Sequence, residues 1–574
     1  MSRRSISRRE FVGRSAAGLT AMSAAVPTVR PQGRAPIASR GEKLMAASRN
    51  AQLNEITTIG VAGQQKVVDP YNELEVDFVV TAPDGSRRSL PAYHTWNNVW
   101  YCRFAGWQLG EYVIESKCSE PDDKGLHGQK FTVNVTPYTG QNALLRAGRL
   151  RVAAAKSHLE HADGSPFLWV GDTWWMGLCR RLTDEGFDTL LKDRVEKGFS
   201  LVQLVVGPYP DMDAWDERGM NAQGFPFQEE FKRANVGYQD AAEQRIYAIA
   251  EAGLVPCIVG MWGYYLPIIG LENVKRYWRS LVARYAALPV VWCMCGEGTM
   301  PYYLSEDREK DAAAQKAGWT DVMRYVRGID AYRNPITIHP TQFGHEQVDQ
   351  PSLMDVDMLQ TGHSDLESVP NVIKSVRAAV AHEPKMPVVN GEGNFEGIMG
   401  RCWQNIVRLT FYHSMLNGAA GFTYGANGIW QVNEKDRPYG PSPHGRAWGN
   451  TPWEEAMSLP GSLQVGLGGK FFARFPWWEL QRQPSWYDQP KDEFGAYGLV
   501  VAGIPRKLRI AYVPMCWTPP TIKAIESDVA YSAWYFDPVT GNEIALGPVT
   551  PDADGKWTPP FPPEVHDWIV VMQA

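Results

Sequence analysis

The chain has 574 residues, 44% apolar and 21% charged, with a net charge of −6. That length exceeds one average domain and predicts two or three. The acidic balance excludes a basic nucleic-acid-binding surface, and the mature chain has no apolar run long enough for a membrane span. Trp is abundant, at 22 residues. Its faces suit a large core and the C–H faces of sugar rings equally, so the count alone decides nothing.

Residues Met1 to Met22 combine a basic start, the segment Ser7-Arg8-Arg9-Glu10-Phe11 and a mild Ala/Gly stretch. This is the pattern of a twin-arginine export signal. It predicts cleavage between Ala25 and Ala38, passage through the twin-arginine export machinery, and a periplasmic or secreted protein. Residues 1–37 are therefore set aside as signal and linker. Cargo of that route folds before export, so the eight cysteines need no disulfide framework. Cys102 and Cys118 fall on strands read as neighbours, close enough to pair. Cys179, Cys257, Cys293, Cys295, Cys402 and Cys516 sit in apolar contexts and read as small core residues. No CxxC points to a zinc ribbon.

Residues 50–140 alternate apolar and polar positions, as in Leu74 to Val80 and Phe131 to Val135, with Pro83-Asp84-Gly85 as a turn. Short strands at this spacing predict a β-sandwich. From 149 to 487 apolar strand runs alternate with helical periodicity, the sequence form of a parallel sheet. Eight strands are predicted, at 167–174, 201–206, 255–261, 290–295, 335–339, 357–360, 387–392 and 421–424. Between them lie helices with apolar faces, such as Phe187, Leu190, Leu191 and Val195. Eight such units predict an α/β fold, a closed (β/α)8 TIM barrel. Residues 488–574 return to a β pattern, with runs at 496–501, 508–513, 533–536 and 568–572, and predict a second small sandwich.

Two carboxylates end strand runs beside glycine. Glu297 stands in Gly296-Glu297-Gly298 after strand four, and Glu392 in Gly391-Glu392-Gly393 at strand seven. A strand's two-residue period puts Cys293, Cys295 and Glu297 on one side, and likewise Val388, Asn390 and Glu392. If that side is the barrel interior, both acids point into the mouth, where flanking glycines let a ligand approach. Breaking a glycosidic bond needs such a pair. One carboxylic acid protonates the leaving oxygen, and a second carboxylate attacks the anomeric carbon or activates water. A single Gly-Glu-Gly reads equally well as a polar turn. Two of them, at the fourth and seventh strands of an eightfold pattern, favour the catalytic reading.

Several segments also carry a family resemblance. They are Asp163 to Trp175 at strand one, Gly198 to Gln203 at strand two, Trp292 to Glu297, Pro387 to Glu392, and Trp534 to Gly541. Over roughly residues 50 to 574 the chain resembles the apiosidase-like glycosidases, within the large clan of retaining (β/α)8 glycosidases. The resemblance implies an N-terminal sandwich, a catalytic barrel, and a C-terminal β domain of a type labelled collagen-binding. It implies Glu297 as general acid/base and Glu392 as nucleophile acting on a carbohydrate substrate, with no cofactor and no metal. The acid then needs a raised pKa, from apolar walls such as Trp292 and from its carboxylate neighbour. Two departures leave the sugar open. Gly296 stands where the clan usually has Asn, and Glu297 where the family often has Asp.

Other strand-end residues are candidate substrate ligands. They are Asp172, Trp174 and Trp175 after strand one, Gln203 on strand two, His339 and Gln342 after strand five, His363 and Asp365 after strand six, and Tyr424, Asn427 and Trp430 after strand eight. Each reads either as a sugar contact or as a structural residue of the barrel mouth. Glu396 is the reserve carboxylate. Long inserts at 208–236 and 426–460 are placed to wall off a pocket, which leans towards attack at chain ends. Two rivals remain. A metal-dependent barrel hydrolase would need a His-x-His pattern, which is absent; His158 and His161 precede strand one. A catalytically dead barrel that binds carbohydrate or matrix fits the β domains and the Trp content. Neither a phosphate loop nor a dinucleotide fingerprint is present.

Overall fold

The computed structural model describes residues 48–488, 498–514 and 519–574. The export signal, Cys516 and the first two residues of the run at 496–501 lie outside the described residues.

The apolar runs between 169 and 424 form eight parallel strands, buried on both faces as a helix-covered barrel requires. They are Trp169–Thr173, Leu201–Val205, Val255–Val259, Val291–Cys293, Ile336–Thr337, Asp357–Gln360, Val388–Glu392 and Gly421–Tyr424. The sheet runs from the fifth strand back to the first and on through the eighth, seventh and sixth. Between fifth and sixth the seam is thin: the amides of Asp355 and Val356 both reach the Ile336 carbonyl, at 2.8 and 3.3 Å. The fold is therefore a TIM barrel with extra β layers at both ends.

Local chemistry sets the ends of these elements. The first strand starts at Trp169 rather than 167, because Pro166–Phe167 belongs to a hairpin with Leu159–His161. That hairpin turns at Gly164, whose φ of +88° suits glycine. Helix Asp184–Lys197 starts at Thr183, which caps the Gly186 amide, and stops at left-handed Gly198. It buries Phe187, Leu190 and Leu191, but Val195, expected on that face, is exposed.

Ahead of the barrel, a five-stranded sheet faces a three-stranded one, and Val76, Phe78, Ile59, Phe104, Tyr112 and Val133 are buried in the core they share. Cys102 lies on Val99–Ala105 in the smaller sheet and Cys118 on Gly110–Cys118 in the larger. The two are free thiols, which corrects the suggested pairing: the strands do not neighbour one another. After the barrel, one six-stranded antiparallel sheet runs from Gln481–Arg482 to Trp568–Gln573. Ile510, Tyr512 and Val571 on one face pack on the barrel, and Tyr512 stacks on Tyr412 at 4.8 Å. Val501, Ala511 and Val570 on the other face pack under a cover made by single bridges, Tyr487 to Ile522 to Trp557, rather than by a second set of long strands. Arg408 and Asp567 clamp this sheet to a barrel helix with two bonds of 2.8 and 2.6 Å. Among the described residues no helix is long and apolar enough to cross a membrane.

Candidate active site

At the C-terminal ends of the strands a cavity of about 370 Å³ opens, near the lower end of small-molecule sites. Glu297 and Glu392 both line it. The shared-side expectation needs correcting for the seventh strand. Val388 packs outward with Val372 and Val376 of helix Val369–Val380, and Asn390 also turns outward, donating to Ser414 on the next helix at 3.0 Å. A regular strand would send Glu392 the same way. The register instead slips between Leu359 and Gln360, so that Gln360 pairs with Glu392, and this irregularity swings Glu392 into the cavity. Glu297 lies beyond the fourth strand with φ at +46°, a left-handed conformation that non-glycine residues adopt only under constraint.

Gln360, at the end of the sixth strand, ties the two acids together. Its Nε2 donates to Glu297 Oε1 at 3.1 Å and to Glu392 Oε1 at 2.9 Å. Those two oxygens are therefore no more than about 6 Å apart. His363 Nδ1 accepts the Phe395 amide at 3.4 Å, which leaves its proton on Nε2, and Nε2 stands 2.7 Å from Glu392 Oε1. His339 Nε2 lies 3.1 Å from Glu392 Oε2, close enough for an ion pair but poorly aligned, so neither atom has a hydrogen-bond partner.

These surroundings split the two acids. Burial pushes the Glu297 carboxyl up, the charge of Glu392 adds to this, and its pKa reaches about 7. Burial also works against the Glu392 anion, but His339 and His363 outweigh it and hold its pKa down at about 2. The apolar wall is not Trp292, whose indole points outward to Asp330 and packs on Trp278. It is Trp262, just past the third strand, which donates to Glu297 Oε2 at 3.2 Å. Trp175 crosses edge-on to both Trp262 and His339.

Of the candidates from the sequence, Trp175, His363 and Trp430 line the cavity, and His339 stands directly behind Glu392. The others do not reach it. Asp172, fully buried, is held by Arg194 at 2.6 Å and by Trp174 at 2.7 Å, a closed charge pair beneath the mouth. Trp174 packs on Phe187. Gln203 crosses the barrel to the Gly391 carbonyl at 3.1 Å and so supports the backbone beside Glu392. Gln342 is paired with Ser375. Asp365 accepts the Cys402 amide at 3.0 Å and braces the loop after the seventh strand. Tyr424 donates to Glu396 at 2.6 Å, and Glu396 also accepts the Gly461 amide. That removes Glu396 as reserve, because both its partners are structural. Asn427 accepts from Gln431 at 2.8 Å within the final insert.

Sequence reasoning missed Trp262, Gln360, Asp211, Tyr303 and Trp448, all of which line the cavity. Trp262 and Gln360 carried a usable signal, since each sits at the C-terminal end of a barrel strand. Asp211, Tyr303 and Trp448 come from long loops and carried none.

Residues 153–479 match the family model described as "Apiosidase-like, catalytic domain". No curated protein sequence matches the chain. Among solved structures, a glycoside hydrolase aligns with a TM-score of 0.62 at 20% identity, over 74% of this chain and 97% of that one. A glycoside hydrolase family 5 protein from Bacteroides vulgatus aligns with 0.63 at 21%, over 75% and 95%. A third protein, also from Bacteroides vulgatus and provisionally assigned as a glycoside hydrolase, aligns with 0.66 at 15%, over 92% and 99%. Likenesses at these identities establish the shared fold.

Proposed function

This chain belongs to the apiosidase-like family and is a glycosidase; from that premise we propose that it cleaves glycosidic bonds with retention, Glu297 acting as acid/base and Glu392 as nucleophile. The observation that carries this reading is the Gln360 bridge, which keeps the nearest carboxylate oxygens within about 6 Å. Retaining enzymes need their carboxyls about 5–5.5 Å apart, whereas inverting ones leave about 6.5–9.5 Å for water.

The electrostatics support the same division of labour. With a pKa of about 2, Glu392 is an anion at working pH and able to attack the anomeric carbon. With a pKa of about 7, Glu297 keeps its proton for the leaving oxygen. Once Glu392 has bonded to the sugar its charge is gone, the repulsion on Glu297 falls, and Glu297 turns into the base that activates water for the second step. His339 and His363 hold Glu392 in place through the cycle.

The substrate is a carbohydrate, and the walls built by the inserts at 208–236 and 426–460 favour attack at a chain end. The twin-arginine pattern supports a periplasmic or secreted setting; signal-swap export assays in a strain lacking the twin-arginine translocase test it. Screening the mature protein against plant and algal polysaccharides and aryl glycosides identifies the sugar. Proton NMR of the first-formed product then decides the mechanism: the starting anomer supports retention, and an inverted product removes Glu392 as nucleophile. Substitution of either glutamate by Gln separates an enzyme from a binder, since a binder would show no turnover to lose.

A further inference from the structure

Asp211 sits where the two long inserts meet. Trp448 Nε1 donates to its Oδ2 at 3.0 Å, and the Tyr439 hydroxyl reaches the carbonyls of Pro210 and Asp211 at 3.0 and 3.1 Å. Its φ of +55° is left-handed, a region that Asp adopts more readily than most residues. Asp211 is only 7% exposed and lines the cavity shared with Glu297 and Glu392, yet its Oδ1 has no hydrogen-bond partner. The Tyr303 hydroxyl approaches the carboxyl and favours its anion, but it does not meet hydrogen-bond geometry at Oδ1. Buried polar atoms are almost always satisfied, so a bare one inside a ligand cavity marks a place for a ligand donor. Holding Trp448 does not explain it, because Oδ2 alone does that.

Taking the glycosidase reading as given, we infer that Asp211 is a specificity-determining residue: Oδ1 accepts a hydroxyl of the sugar ring in the cavity and selects a neutral sugar bearing that hydroxyl. A sugar donor is the natural complement, since a carboxylate only accepts. An acidic sugar would add a further anion to a cavity that already holds three carboxyl groups. The imidazoles of His339 and His363 are committed to Glu392, and the remaining basic side chains of the lining, His444 and Arg446, stand exposed at the rim.

The test is direct binding, read by calorimetry with the methyl glycosides of glucose, galactose, mannose, xylose, arabinose and glucuronic acid. The proteins are wild type, Asp211→Ala, the isosteric Asp211→Asn and Trp448→Phe, each checked for an unchanged melting curve. The best-bound neutral glycoside is expected to bind about 10–100-fold more weakly to both Asp211 variants, as expected for a lost hydrogen bond to a charged group. Trp448→Phe, which leaves Oδ1 in place, should lose less. Among monodeoxy analogues of that glycoside, one should bind wild type and Asp211→Ala equally, naming the hydroxyl. Three results each overturn the inference: equal affinity in wild type and the Asp211 variants, the same loss across all deoxy analogues, or tightest binding of the glucuronide. Absence of binding by every glycoside also counts against it. Since no turnover is measured, failure here is distinct from failure of the glutamate assignments, which the Gln variants read.

Discussion

The ring of Trp262 lies against the α-carbon of Gly296, so close that a β-carbon there would fall 2.2 Å from the ring. The clan's usual Asn therefore has no room in this chain: the space belongs to the indole that donates to Glu297. Gly296→Ala is expected to lower stability by about 1–3 kcal/mol through overpacking. It should also lower kcat by up to about 10²-fold as Trp262 and Glu297 shift. Thermal melts and steady-state kinetics on the best aryl glycoside check this; wild-type behaviour in both would show that the contact does not constrain the site.

The two glutamates should respond differently to activated leaving groups. Glu297→Gln is expected to lose about 10²–10⁴-fold on a poor leaving group and far less on dinitrophenolate, which needs no proton. Glu392→Gln should lose about 10⁴-fold or more on both. Equal losses for the two variants across leaving groups would contradict the roles assigned.

The pH profile follows from the split acids. As the proposed acid, Glu297 acts protonated, and with a pKa of about 7 kcat/KM should fall as pH rises through 7. As the proposed nucleophile, Glu392 acts ionised, and with a pKa of about 2 the acid limb should lie far below that of an ordinary carboxylate. Activity that rises steadily above pH 7 would reverse the assignment of the proton donor.

Gln360→Ala removes the amide that bridges the acids. Its hydrogen bond lowers the Glu297 pKa, so the alkaline limb should move upward. Freed of the tether, the carboxylates also lose alignment, and kcat should drop by about 10–10²-fold. A pH profile identical to wild type would leave Gln360 without the role given to it.

Glu297→Gln should stabilise the fold while disabling it. The folded-state pKa of Glu297, about 7, lies above its ordinary 4.5, so the unfolded chain ionises first as pH rises. The native Glu is thus a liability that appears through pH 4.5–7 and persists above it. The melting-temperature gain of the Gln variant should be small at pH 4, grow across that window and level off at pH 8. A variant that melts lower than wild type at pH 8 would place Glu297 in a more polar setting.

Much of this architecture was legible because strands and helices write their periods into the chain. The eight strand runs all appear, since buried parallel strands are continuous apolar segments. Glu297 and Glu392 stood out as a pair because two Gly-Glu-Gly turns close the fourth and seventh strand runs of an eightfold pattern, although either one alone reads equally well as a polar turn. The side each acid faces was not legible at the seventh strand. Alternation from Val388 through Asn390 leads outward, and only the slip against Gln360 turns Glu392 inward. Nor was the structural role of Asp172, a candidate substrate ligand, or of Glu396, the reserve carboxylate, legible in the sequence. Arg194 closes off the first, and Tyr424 with Gly461 closes off the second; these partners lie 22, 28 and 65 positions away.

The sequence by itself determined which segments become strands and helices, where the sheet ends, and which two acids stand at those ends, because these depend on neighbours within a few residues. Only the tertiary structure decided what each acid feels. The proton affinity of Glu297 and the ionisation of Glu392 come from Trp262, Gln360, His339 and His363, brought in from the ends of three strands, the third, fifth and sixth. The setting of the bare Asp211 oxygen depends on two inserts closing on each other, where Asp211 meets Trp448 from 237 positions away. Electrostatic interactions act through space and depend on burial, and neither quantity is encoded at any single position of the chain.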